Sequence, residues 1–435
     1  MKKVLIETYG CTMNQADTDI ISSTLKNNEI EVTEGFYESG EYDYVVVNTC
    51  TVKRQTEQRI VDRLEKIGRL GNKLIVTGCL ASANPDIVNR AVPKAIIVNT
   101  SRIREIANIV TSDRNKQIDY NTYFAGNKLE GFEHNGKAIA KIPVSEGCLS
   151  GCSFCETKFA RGALNSYPME TIIKAVEKSV KNGAKEIDLT SQDTGAYGAD
   201  KKTNIAELLS QASEIEGDFR IRIGMLNPEH LHKYFDELID AFRMGKAYRF
   251  VHLPVQSGSN KVLKHMKRKY TVDEFQTFIN EFREKLGDVT IETDVIVGYP
   301  TEDVADFEQT MAMLTNVRPN ITNISKFSKR HHSIATKLKQ LKDSVIKDRS
   351  VIMARAVKEM QYIDMSKLIG KKLDITITEK NNATVSGRDD AYRLVALENG
   401  NFKEGDKVSV EIVNNSYACY IGRAYCADKA ELLKS

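Results

Sequence analysis

The sequence has no long hydrophobic run. Its densest apolar stretches, Val45–Val47 and Ile96–Val98, are short, far below the roughly 18 residues of a membrane-spanning helix. It has no large excess of one charge either. Lys and Arg number 62 and Asp and Glu 59, for a formal net charge of +3. That balance excludes a histone-like polycation and confines any nucleic-acid site to a local patch. There is no internal repeat and no low-complexity segment. The start, Met1-Lys2-Lys3-Val4-Leu5-Ile6-Glu7, meets an acid too early for a signal-peptide core, so a cytoplasmic protein with no membrane partner is expected. In that reducing compartment the eight cysteines read as metal ligands or reactive thiols rather than disulfides.

What is present is ample core. The 435 residues, 41% of them hydrophobic, suggest about three domains. In the first, 1–112, strand candidates Lys3–Thr8, Tyr44–Asn48, Leu74–Thr77 and Ile96–Val98 alternate with helical Asp17–Asn27 and Gln55–Leu70. That alternation predicts an α/β fold with an open parallel sheet. Residues 113–137 dissolve into Asp, Asn, Lys and Gly and read as a linker. Within 138–341, six more strands (Ala140–Val144, Glu186–Thr190, Arg220–Gly224, Arg249–Leu253, Thr290–Val297 and Asn320–Lys326) are separated by helical segments. Six strand–helix units predict a partial (β/α)6 barrel with its site at the strand C-terminal ends. A connecting helix is expected at 342–365. The tail, 366–435, reads as a small antiparallel β-barrel of OB-like size, with strands at Leu373–Thr378, Tyr392–Ala396, Val408–Asn414 and Tyr417–Gly422.

The cysteines carry the chemistry. Cys148, Cys152 and Cys155 form C-x3-C-x2-C directly after the first barrel strand. Three thiolates on one short loop can hold three irons of a [4Fe–4S] cubane and leave the fourth open to a substrate or cofactor. Zinc would want a fourth close Cys or His, and none follows within the loop. Cys11, Cys50 and Cys79 are far apart in sequence, yet each stands just beyond the C-terminal end of a strand candidate of the first domain. Those ends converge in an open α/β sheet, so the three could ligate a second cluster. Packing as small buried hydrophobes is the competing reading, and it is the one that suits Cys419 and Cys426.

On these residues the chain resembles the radical S-adenosylmethionine enzymes, whose signature is C-x3-C-x-aromatic-C at the first barrel strand. The three-part layout resembles the methylthiotransferases, with the β tail similar to the RNA-binding TRAM domain. Several runs are similar to the archaeal and eukaryotic branch acting on N6-threonylcarbamoyladenosine beside the tRNA anticodon. They are Glu7-Thr8-Tyr9-Gly10-Cys11-Thr12-Met13-Asn14, Asn48-Thr49-Cys50-Thr51-Val52, Cys155-Glu156-Thr157-Lys158-Phe159-Ala160-Arg161-Gly162, Ser191-Gln192-Asp193-Thr194-Gly195-Ala196-Tyr197-Gly198 and His252-Leu253-Pro254-Val255-Gln256-Ser257-Gly258-Ser259. The resemblance implies that Cys148, Cys152 and Cys155 hold the cluster that binds and reductively cleaves S-adenosylmethionine. It implies that Cys11, Cys50 and Cys79 hold an auxiliary [4Fe–4S] cluster carrying the sulfur to be transferred. It further implies a tRNA substrate, a reductant and a sulfur donor. Two runs depart from the family pattern: Gly298-Tyr299-Pro300-Thr301-Glu302, where Gly-Phe-Pro-Gly-Glu is usual, and 329–336, where a Pro-Gly-Thr-containing run is usual.

Further candidates follow from position. Gln192, Asp193, Gln256 and Asp294 end barrel strands and could reach the cofactor, though a capping or surface role is as common for such carboxylates. Phe154, between two of the cysteines, could cover the cofactor adenine or belong to the core. Lys326, Lys329 and Arg330 open a stretch without acids and, with Arg388 and Arg393 of the tail, are candidate RNA contacts. A second basic cluster, Lys261 to Lys269, reads equally as a solvated helix face. Three rival functions remain at this level. Two are methylthiolation of isopentenyladenosine tRNA or of a ribosomal-protein aspartate; the third is a non-catalytic iron–sulfur RNA-binding protein.

Overall fold

The computed structural model describes residues 1–38, 40–51, 54–71, 73–112, 123, 126–380, 384–398 and 400–425. The first domain is a five-stranded parallel sheet in the order β2-β1-β3-β4-β5. Its strands are β1 (Lys3–Thr8), β2 (Glu31–Glu34), β3 (Tyr44–Thr49), β4 (Lys73–Gly78) and β5 (Ile96–Ile97). β3 is buried at every position, as a central parallel strand covered on both faces must be. β2 was not expected: it is a polar edge strand, Glu-Val-Thr-Glu, with no apolar run to announce it.

The central unit begins with β6 (Ile139–Pro143). A short antiparallel ribbon, β7 (Ser145–Glu146) and β8 (Asn165–Ser166), then closes the neck of the loop that carries the three clustered cysteines. β9 (Glu186–Thr190) and β10 (Arg220–Ile223) complete one three-stranded parallel sheet, and β11 (Phe250–His252), β12 (Thr290–Val297) and β13 (Ile321–Lys326) make a second. A parallel bridge from Ile221 to Ala247 and the Leu226 N–H to His252 carbonyl bond join the two into one partial barrel. Capping boxes start the outer helices Val272–Leu286 and Val304–Val317, at Thr271/Glu274 and Asp303/Asp306, satisfying first-turn amides that would otherwise lack partners.

The first domain and the barrel share one core: Val4, Ile6, Tyr44 and Val46 belong to the same buried cluster as Ala140, Ile142, Ile187 and Leu253. Part of the expected linker joins it. Residues 113–122, 124 and 125 lie outside the described residues, but Leu129 and Phe132 are buried in this cluster.

After the helix Asp343–Ser366, strands β14 (Lys372–Lys380), β15 (Val385–Arg388), β16 (Leu394–Leu397), β17 (Lys407–Asn415) and β18 (Tyr420–Ala424) close a barrel. One pairing, β16 with β18, is parallel, so the barrel is not antiparallel throughout. It docks on the end of the central barrel opposite the cysteines, against the residues that precede or open its strands. Tyr392 packs on Tyr248 and Phe250 with ring centroids 4.9 and 4.7 Å apart. Arg393 pairs with Asp288 at 2.8 Å, Arg220 with Asp390 at 2.7 Å and Lys407 with Asp218 at 2.7 Å.

Candidate active site

Each cysteine of the first domain follows a parallel strand, so the sheet itself brings distant residues to one edge. Cys11 follows β1 and opens the helix Thr12–Lys26, Cys50 follows β3, and Cys79 begins the helix Cys79–Ala83 after β4. Gly10 and Gly78, with φ of +117° and +92°, precede two of them because the chain passes too close for a side chain. A Cβ on Gly10 would stand 3.0 Å from Cys50 Cβ, and one on Gly78 only 2.2 Å from the Thr49 carbonyl oxygen. The Asn14 side-chain oxygen accepts from both Cys11 Sγ (3.8 Å) and Cys79 Sγ (3.7 Å), so these thiols flank one atom. Burial pushes the Cys79 thiol up to about 12, with Cys50 and Cys11 adding to the effect and Arg161 opposing it.

Cys148, Cys152 and Cys155 share the loop between β7 and β8. Burial and the Asp193 carboxylate push Cys148 up to about 12. Burial also raises Cys152, against Arg268, whose Nη1 donates to Cys152 Sγ at 3.3 Å. Arg268 lay in the second basic cluster; it turns inward, also binding Tyr270 and the Pro254 carbonyl.

The two triplets face each other across the junction of the domains. Glu156, next to Cys155, accepts from Thr51 at 3.3 Å and from Asn84 at 3.2 Å, residues that follow Cys50 and the Cys79 helix. Arg161, only 1% exposed, lies six residues beyond Cys155. Its Nε donates to Cys79 Sγ (3.3 Å), its Nη2 to Asn14 (3.0 Å), and its Nη1 pairs with Asp17 (2.7 Å) and Glu146 (3.1 Å). Lys128 completes this buried group, 3.0 Å from Asp17 and 2.7 Å from Glu146. Glu156 and Arg161 lie in the run after Cys155 that carries the resemblance and Arg268 in the second basic cluster, but none was a candidate site residue: each acquires its role only through neighbours distant along the chain.

The described cysteines are all free thiols; Cys426 lies outside the described residues. Among the described residues no three His, Cys, Asp or Glu side chains gather around a single-ion site. Two sets of three thiols, with a guanidinium N–H aimed at one sulfur of each set (Arg161 at Cys79, Arg268 at Cys152), fit two cubane clusters. In such clusters each thiolate would take a different iron, and the N–H···S bonds would stabilise the added charge.

At the barrel mouth, Gln192 Oε1 and Asp193 Oδ2 are buried with no hydrogen-bond partner. Asp193 Oδ2 stands 3.3 Å from His230 Nε2, which also lacks a partner in a hydrogen-bonding geometry. Such orphaned acceptors beside Cys148 suit an incoming polar group. Gln256 takes a left-handed φ of +71°, and its backbone bridges to Asp294 and Ile296, a strained position of the kind found at functional sites.

Other candidates are engaged elsewhere. Asp294 faces the barrel interior, with Oδ2 2.9 Å from His252 Nε2 and Oδ1 2.9 Å from Asn323 Nδ2. Burial alone would lower the His252 pKa, but the Asp294 hydrogen bond and charge raise it. Phe154 packs on the apolar group of Val262, Met266, Tyr299 and Phe327. Three expected RNA contacts are corrected. Arg330 is buried and pairs with Glu57 of the first domain at 3.4 Å. Arg388 lies 3.8 Å from the buried Glu186 with its cation over the Tyr392 ring, and Arg393 is held by Asp288 and Asp389. All three gain fixed carboxylate partners at domain junctions, which phosphate would have to displace. Lys326 and Lys329 remain exposed.

Residues 142–314 match the radical SAM superfamily, and residues 3–100 match the uncharacterized protein family UPF0004. A probable threonylcarbamoyladenosine tRNA methylthiotransferase of Pyrococcus abyssi is 39% identical over 96% of this chain and 98% of its own. The Drosophila melanogaster threonylcarbamoyladenosine tRNA methylthiotransferase is 30% identical over 97% of this chain and 77% of its own. Among solved structures, the radical S-adenosylmethionine methyltransferase TsrM of Kitasatospora setae, with cobalamin and a [4Fe-4S] cluster bound, shares the fold. Its TM-score is 0.57, at 13% identity over 77% of each chain. Sequence likeness over nearly the whole length, on a scaffold that sets two cysteine triplets face to face, places this chain in the threonylcarbamoyladenosine tRNA methylthiotransferase family.

Proposed function

We propose that the chain is a tRNA methylthiotransferase that replaces the C2 hydrogen of N6-threonylcarbamoyladenosine, next to the anticodon, with a methylthio group. The observation that carries this reading is the meeting of the two cysteine triplets across one junction, tied by Glu156 and Arg161. A non-catalytic iron–sulfur module has no need of two three-thiol sets facing each other.

Cys148, Cys152 and Cys155 would hold one [4Fe–4S] cluster and Cys11, Cys50 and Cys79 the other. With S-adenosylmethionine, these groups supply the hydrogen-abstracting radical and the sulfur and methyl that an unactivated aromatic C–H position requires. The rest is the chain's own work. Gln192 and Asp193 offer unpaired acceptors to the amino-acid end of S-adenosylmethionine, and Gln256 lines the same strand ends. Arg268 and Arg161 donate to Cys152 and Cys79, favouring the reduced state of each site. The first domain covers the barrel mouth and excludes water from the reacting atoms. Lys326 and Lys329, both exposed, would meet tRNA phosphates. A reductant and a sulfur donor must be supplied by partners. The cytoplasm, where tRNA and reduced thiols are available, suits the chemistry; among the described residues no helix is long and apolar enough to cross a membrane.

The test is mass spectrometry of tRNA nucleosides from a host lacking this activity, with and without the gene. A new 2-methylthio form of threonylcarbamoyladenosine is expected. The group on isopentenyladenosine would overturn the substrate, and no new nucleoside with cluster-loaded protein would overturn the reaction.

A further inference from the structure

Beside the junction of the two cysteine triplets, one aromatic pair is left in solvent. Phe159, in the short helix after Cys155, is 55% exposed. It stacks on His332 with ring centroids 4.6 Å apart and an interplanar angle of 21°. His332 belongs to the loop that departs from the family pattern, and that loop is fastened on both sides of the site. The His332 Nε2 lies 3.0 Å from the Ala83 carbonyl at the end of the Cys79 helix. Ser333 Oγ and Ala335 N–H donate to the Ser153 carbonyl, between Cys152 and Cys155, at 2.7 and 2.9 Å. The rings are therefore held rigidly while half of the Phe159 surface stays wet, which costs about 25 cal/mol per Å2 of apolar area left uncovered. Exposed cations flank the pair along the chain. Lys158, Lys329 and Lys337 are exposed and make no ion pair with any described residue.

We infer that the Phe159–His332 pair is a stacking platform for a nucleobase adjoining the target adenosine in the single-stranded tRNA loop, with these lysines neutralising its phosphates. This rests on the tRNA reading above and deepens it. An aromatic face accepts any base, and phosphates on either side of a splayed base demand nearby cations; both are present beside the reacting centre. A protein substrate would make no comparable use of an unpaired cationic rim.

The experiment is a double-mutant cycle on cluster-loaded enzyme. It uses an anticodon stem–loop RNA that carries threonylcarbamoyladenosine, with an abasic site placed in turn on the 5′ or 3′ side of that nucleoside. Affinity is read by fluorescence anisotropy. Phe159→Ala should weaken binding about ten-fold, as loss of one base–aromatic stack does. One of the two abasic RNAs should weaken wild-type binding to a similar degree and cost little more in the Phe159→Ala background. His332→Ala should follow the same pattern to a smaller degree, and Phe159→Trp should retain affinity. Losses that simply add at both flanking positions would overturn the platform while leaving the tRNA reading intact. Failure of the wild-type enzyme to bind the intact stem–loop would overturn both.

Discussion

Replacing Arg161 with methionine removes one of two cations from a buried group of four charges. Asp17, Glu146, Lys128 and Arg161 are each no more than 3% exposed, and their formal charges cancel. Without Arg161, Lys128 alone faces two carboxylates, and an uncompensated buried charge costs about 3–5 kcal/mol. The loss falls on the joint between the first domain and the barrel, since Asp17 lies in the Thr12–Lys26 helix and Glu146 in β7. Hydrogen exchange of amides in Thr12–Lys26 and Thr157–Arg161 should quicken by roughly 150- to 4,000-fold, provided opening stays local. Adding Glu146→Gln restores neutrality, because Asp17 and Lys128 then balance. The double variant should recover more than about 1 kcal/mol relative to the sum of the single losses. Strict additivity, or an Arg161→Met protein that exchanges like wild type, would refute the charge-balance argument. In the same variant, loss of the N–H bond to Cys79 should lower the potential of the auxiliary site, read by an EPR-monitored redox titration.

Cys148→Ala should abolish S-adenosylmethionine cleavage, whereas Cys79→Ala should lose about half of the iron and all methylthio transfer yet still release 5′-deoxyadenosine. Product from the second variant would displace Cys79 as a ligand. Burial, with Asp188 adding its charge, raises Glu186 to about 8 from an ordinary value of 4.5. The folded protein then binds more protons than the unfolded one between these values, so its contribution favours folding most at low pH and is lost as pH climbs through about 8. The melting temperature of wild type should fall relative to Glu186→Gln between about pH 6 and pH 9; parallel curves would contradict this. Lys329→Glu should weaken tRNA binding and flatten its salt dependence, whereas Arg393→Ala should loosen the docked C-terminal barrel to proteolysis and leave tRNA affinity unchanged. A large affinity loss in Arg393→Ala would return that residue to the RNA face.

The residues of the Cys148 loop were legible in the sequence because a chelating loop is local: spacing alone places three thiolates within reach of one cluster. Cys11, Cys50 and Cys79 were legible for a different reason. Hydrophobic runs locate parallel strands, and parallel topology sends every strand's C-terminal end to the same edge, so positions almost 70 residues apart can be grouped without knowing a single distance. The strands that escaped notice, Glu31–Glu34, Ser145–Glu146, Asn165–Ser166 and Val385–Arg388, are short and carry polar or glycine positions in place of an apolar run. Which partner each charged side chain takes was decided only by the tertiary structure. Arg161, Arg268, Arg330, Arg388 and Arg393 look alike in sequence. One meets a cysteine and two buried carboxylates, one a cysteine and a tyrosine, and three meet acids across domain junctions. Periodicity reports how one element buries its own face; it carries no information about the side chain that another domain, a hundred or more residues away, will bring against that face.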